Sequence, residues 1–199
     1  SIVDKYSYGV KNSVSFSNFV MVDKDSLNKD IIKKFILFEK ETSLLNGIYL
    51  TIINSDIYRE IKINMILQCI EGFYRCIYDK KKKLTYKEIL ENVFLKNQYC
   101  KNILSNLDKR IICINGKKEY IFLYKAKNHR NYYSHLNINE RKNMFEKMQI
   151  NYAYWKIILA YRLLLLEYLN VKYDEDLLNE IIRDINEYKK HHKIRMSVQ

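Results

Sequence analysis

The sequence predicts an all-α protein: an antiparallel helical bundle with a short strand-like or irregular N-terminal segment. Three observations carry this. The 199 residues include no proline and only four glycines, too few for the turns that sandwiches, barrels and propellers place every ~8–12 residues. From Asp25 onward, apolar side chains recur at helical spacing. Hydrophobic residues make up 48% of the chain, enough for one packed core. No Gly-rich loop is present to cradle a phosphate, which removes Rossmann and P-loop readings.

Residues 1–24 read as a linker or the edge of a missing upstream domain. Ser13-Val-Ser-Phe-Ser alternates with period two, and the chain opens on Ser rather than Met, as a processed or excised piece does. A helical domain is expected over 25–190. Its first helix spans 27–50, capped by Ser26, with Ile31, Phe35, Phe38, Leu45 and Ile48 inward. Asn54-Ser-Asp breaks it. A second helix over 57–79 carries Ile63, Ile66, Leu67, Ile70, Phe73, Tyr74 and Ile77, and Asp79-Lys-Lys-Lys-Lys is an exposed loop. Thr85 and Glu88 stand at capping-box distance before a short helix. A helix near 98–112 ends at Asn115-Gly116, with glycine as the left-handed stop, and helix resumes over 118–134. After Leu136-Asn-Ile-Asn, a long helix over 139–170 holds the apolar run Ile157 to Leu166, too short to span a membrane. A last helix covers 174–189, with acidic residues in its first turn, and 191–199 is a frayed basic tail.

Ile, Lys, Asn and Tyr make up 92 of the 199 residues, so single lysines or tyrosines carry little weight. The placement of charge carries more. The net charge of +12 is uneven: residues 80–130 hold fourteen basic and four acidic side chains, whereas 1–79 balance at ten and ten. Such a surface attracts polyanions, nucleic acid foremost. Cys69, Cys76, Cys100 and Cys113 form no C-x-x-C pair, so no zinc site, other metal site or cofactor is expected. Cys69 and Cys76 read as buried free thiols in a reducing, cytoplasmic setting.

One segment concentrates chemistry: Lys127-Asn-His-Arg-Asn-Tyr-Tyr-Ser-His135. Asn131 and His135, at i and i+4, share a helix face, while Arg130 lies about 140° around from His135, within reach of a long side chain. Such a set suits RNA cleavage without metal. An imidazole moves a proton near neutrality, a guanidinium holds the phosphate, and an asparagine fixes the tautomer or donates to a phosphate oxygen. One histidine does not readily perform both proton transfers, so a homodimer supplying a second copy is expected.

Arg130-Asn131-Tyr-Tyr-Ser-His135 resembles the R-x4–6-H motif of HEPN domains, and Ile66-Leu-Gln-Cys-Ile-Glu71-Gly-Phe-Tyr-Arg75 resembles the upstream helix of the ApeA-like HEPN family. The resemblance covers about residues 25–190. It implies a bundle that dimerises face to face and a metal-independent endoribonuclease, often directed at tRNA, of anti-phage or toxin systems. An upstream regulatory domain or a phage-derived trigger would govern it. Carried onto this chain, Arg130 stabilises the phosphate, His135 is acid or base, and Asn131 and Glu71 position them. Glu71 has two readings: it orients Arg130, or it balances Arg75 at i+4. Lys125, Lys127 and His129 line a phosphate path or form a solvated face, and Tyr132 and Tyr133 stack on bases or pack. The alternative is a non-catalytic module of the same shape that binds a partner or nucleic acid.

Overall fold

The computed structural model describes residues 27–81 and 83–197, and there the chain is mostly helical with one two-stranded sheet. The readings of 1–24 and of Ser26 lie outside the described residues. Helix α1 (Lys29–Asn54) is capped by Asn28, whose Oδ1 accepts from the Asp30 and Ile31 N–H groups. It kinks at Thr42, whose hydroxyl donates to the Phe38 carbonyl at 2.7 Å. Helix α2 (Arg59–Ile77) follows, then α3 (Tyr86–Glu91), opened by the expected Thr85–Glu88 capping box and continued by a π turn at Asn92–Lys96.

Strands β1 (Ile111–Ile114) and β2 (Lys117–Tyr120) form a hairpin leading into α4 (Ile121–His135). A 3-10 turn, Ile138–Asn143, precedes α5 (Met148–Leu169) and α6 (Glu175–His191).

Residue pairs fix the helix directions. Phe38 meets Phe73, Cys69 bonds to the Leu45 carbonyl and Lys62 reaches the Ser55 carbonyl, so α1 and α2 are antiparallel. Arg59 bonds Asn151 and Phe73 meets Tyr161, so α2 and α5 run the same way. Glu71 meets Arg130 and Asn64 meets Ser134, which sets α4 antiparallel to α2. The core lies along α2 and α5, where Ile63, Ile66, Phe73, Tyr152, Ile157 and Leu163 are fully buried. Burying each large apolar side chain contributes about 1.5–3 kcal/mol. Among the described residues, no helix is long and apolar enough to cross a membrane.

Several elements differ from expectation. The helix expected near 98–112 is a run of turns ending in β1, and 118–120 belongs to β2. Asn115 and Gly116 both take positive φ, 50° and 75°, so Asn-Gly closes a hairpin instead of a helix. The β-branched Ile111, Ile112 and Ile114 favour the strand. The helix expected over 139–170 begins only at Met148, and Lys147 before it has φ 44°. Phe35 is 47% exposed, because α1 turns Phe38 and Ile52 inward instead.

Asp79 is buried, its carboxylate accepting from the Lys83 and Leu84 N–H groups and from Arg75. Cys76 is exposed, whereas Cys69 is buried and its thiol is pushed up to about 12 by burial. The basic tail is docked: Ile194 and Met196 are buried, and Arg110 and Gln149 donate to the carbonyls of Met196 and Arg195.

Candidate functional site

Helix α2 turns one polar face toward α4. Asn64, Gln68, Glu71 and Arg75 recur three and four residues apart, which stacks them in a row. Ser134 of α4 donates to Asn64 (3.2 Å) and accepts from Gln68 (2.9 Å). One turn along, Glu71 Oε2 accepts from Arg130 Nη2 at 2.7 Å, while its Oε1 takes Arg75 Nε and Nη2 at 3.0 and 2.9 Å. Glu71 therefore does both things expected of it. Arg75 is in turn held by Asp79 and by the Leu84 carbonyl.

At the other edge of the same guanidinium, Arg130 Nη1 lies 3.0 Å from His135 Nε2 and 3.4 Å from Asn131 Oδ1. Arginine carries donors and no acceptor, so in this arrangement Nε2 offers its lone pair and the His135 proton sits on Nδ1. His135 is the last residue of α4 and is exposed, and Leu136 beyond it turns left-handed at φ 49°. Asn131 touches Arg130 rather than the imidazole it was expected to orient.

The face of Arg130 lies over the Tyr86 ring, 5.0 Å from its centroid. The Tyr86 hydroxyl and Arg130 Nε are buried without partners among the described residues, and burial holds the phenol above its ordinary value. Sequence reasoning has Arg75 only as a counter-charge for Glu71 and places neither Asp79 nor Tyr86 at the site. Glu71, Arg75 and Asp79 do carry a signal, an acid–base–acid series at i, i+4 and i+8, whereas nothing in the sequence marks Tyr86.

The expected phosphate path is only partly present. Lys125 is buried and its ammonium donates to the Met144 carbonyl at 2.9 Å, with burial lowering its proton affinity. His129 is fully buried and its Nε2–H donates to the Glu60 carbonyl at 2.8 Å, with burial pulling the imidazole down to about 4. Both face the interior because they fall on the buried stripe of α4 with Ile121, Phe122 and Ala126. Lys127 is half-buried and pairs with Glu119 at 3.3 Å.

Tyr132 and Tyr133 form an edge-on pair at 5.0 Å. Tyr133 also packs 4.9 Å from the His129 ring and lines an open groove of about 840 Å³, with Glu60, Ile138 and Arg141 among its walls. That groove adjoins the site without including Arg130 or His135. Among the described residues, no group of three or more His, Cys, Asp or Glu side chains is placed to hold a metal ion.

The chain matches no family model, no curated protein and no solved structure.

Proposed function

We propose that the chain is a metal-independent endoribonuclease of the HEPN type, acting on RNA, tRNA foremost, as a homodimer within a cytoplasmic anti-phage or toxin system. The observation that carries the reading is the contact between Arg130 and His135, with Glu71 bracing the far edge of the same guanidinium. A phosphate arriving at Nη1 takes over the hydrogen bond now given to the imidazole. His135 Nε2 is then free to accept the proton of the 2′-OH, and the 2′-oxygen attacks phosphorus. The P–O5′ bond breaks, and the 5′-oxygen takes its proton from a second acid, the His135 imidazole of the other copy. Arg130 stabilises the charge gathering on the phosphoryl oxygens.

The products carry 2′,3′-cyclic phosphate and 5′-OH ends, formed in the presence of EDTA. His135→Ala and Arg130→Ala lower cleavage by roughly 10²–10⁴-fold while RNA affinity stays within a few-fold. End-group analysis and single-turnover rates test this. Strict Mg²⁺ dependence with 5′-phosphate products would overturn it. Undiminished cleavage in both variants would overturn these residue roles, and RNA binding with no cleavage by the unaltered chain would leave the non-catalytic module, a reading that fits an imidazole already engaged by Arg130.

A further inference from the structure

The excess charge of residues 80–130 does not spread evenly over the fold. Several of its cations are spent internally: Lys125 on Met144, Lys109 on the Lys101 carbonyl, Arg110 on the Met196 carbonyl. Those beside the candidate site are arranged differently. β2 folds back along α4, so that Glu119 meets Lys127 two turns into the helix (3.3 Å) and also meets Lys87 of α3 (3.0 Å). Glu119 is itself only 8% exposed, and it pins the hairpin to both helices. Lys87 further reaches the Lys118 carbonyl at 3.4 Å. Its chain neighbour Tyr86 lies beneath Arg130. The β2 end of the hairpin, where Lys117 and Lys118 are exposed, is thereby tied to the first turn of α3, whose Tyr86 lies under Arg130 of α4. Four ammonium groups and one carboxylate make a basic wall leading away from the Arg130–His135 pair.

We propose that this wall, Lys117 and Lys118 at the hairpin tip with Lys87 and Lys127 behind them, grips the phosphates of the RNA strand flanking the scissile bond. This rests on the RNA reading of the site and names how the substrate is held there. A strand whose phosphate sits on Arg130 can run past Tyr86 to Lys87 and Lys127, and from there to the hairpin tip, so that its flanking phosphates meet the wall. Glu119 competes with that strand for Lys87 and Lys127, so it sets the hairpin in place at a cost in affinity. Among the described residues Lys117 and Lys118 have no such competitor, and they supply counterion release.

The test uses the full chain and a fluorescent 2′-O-methyl RNA 12-mer, which lacks the nucleophile and reports binding alone. Replacing both Lys117 and Lys118 by alanine should weaken binding about tenfold at 0.1 M salt and flatten the log–log salt slope by about 1.4, at ~0.7 per phosphate contact on a single strand. Lys172→Ala with Lys190→Ala, the same charge removed from exposed positions outside the wall, should change neither. Glu119→Gln should tighten binding a few-fold, a gain that misfolding does not produce.

An unchanged affinity and slope in the Lys117/Lys118 variant would sink the proposal, as would loss of affinity in Glu119→Gln with its circular dichroism intact. Equal displacement of the 12-mer by polyglutamate of matched charge would overturn it too, since the wall would then be a general anion patch. Cleavage of unmodified RNA is measured separately. If no RNA is cut yet binding depends on the hairpin, the ribonuclease reading fails and the wall stands as an RNA grip without a scissile bond beside it.

Discussion

Asp108 and Glu71 each bridge two cations, and they sit in opposite settings. Asp108 is fully buried. Its oxygens take Lys189 at 2.8 Å, Lys156 at 3.2 Å, the Tyr152 hydroxyl at 2.6 Å, and the Ser105 amide and hydroxyl. Lys156 is further satisfied by the Ile103 carbonyl and by Asn186. Burial alone would raise the Asp108 carboxyl, but the two ammonium groups and Tyr152 hold it down at about 2. Glu71 bridges Arg75 and Arg130, yet its cluster stands at the bundle's edge and ends in an exposed imidazole. A carboxylate between two cations serves architecture when every donor is saturated and water is excluded. The Glu71 cluster instead reaches the surface, where Arg130 Nη1 meets the exposed His135, the edge that receives the phosphate under the proposed function.

The largest effects should come from crossing the two clusters with isosteric neutralisation. Asp108→Asn leaves two buried lysines without a counter-charge, so unfolding free energy falls by about 3–5 kcal/mol while the folded fraction still cuts RNA. Glu71→Gln should do the reverse. It lowers single-turnover cleavage about 10²-fold by letting Arg130 wander, and it changes stability by about 1 kcal/mol or less, since its partners stay partly hydrated. Urea melts and cleavage rates on both variants check this. Equal stability losses would erase the contrast.

Acid sharpens the comparison with a smaller effect. His129 has a folded value of about 4 against 6.5 for the free group, so as pH falls the unfolded chain binds the proton first. Its contribution is present above about 6.5 and fades by about 4, roughly 3 kcal/mol in all. Asp108, at about 2 against 3.8, adds a second loss of roughly 2 kcal/mol between those values. Urea midpoints at stepped pH should show both limbs. His129→Gln keeps a donor for the Glu60 carbonyl and should remove the upper limb alone; a limb that persists would assign it elsewhere.

The smallest effect tests the floor of the open cluster. Tyr86→Phe removes a hydroxyl without a partner and should shift stability and cleavage by about 0.5 kcal/mol or less. Tyr86→Leu removes the π face and should cost about 0.5–2 kcal/mol in cleavage.

The helices were legible where an apolar period ran uninterrupted, as in α2, and where a cap was spelled out, as at Thr85 and Glu88. Asn115-Gly116 was misread because glycine after asparagine ends a helix as readily as it turns a hairpin. The isoleucines before it decided for the strand through pairing that local propensity does not contain. In the site, Glu71, Arg130, Asn131 and His135 do come together. Lys125 and His129 do not join them, because a lysine-rich segment reads as solvated until a helix's inward face is known. Tyr86 joins through contact across separate elements, which spacing along one chain does not record.

The hairpin has a bearing on transplantation. Its base is closed where the Ile121 amide donates to the Arg110 carbonyl at 2.9 Å. The entry and exit of the insert therefore lie side by side, and the buried Asp108 anchor falls just outside it. The exchangeable part is the tip alone: another two-residue turn can replace Asn115-Gly116, whereas Glu119 must stay, because it ties the stem to Lys87 of α3 and Lys127 of α4.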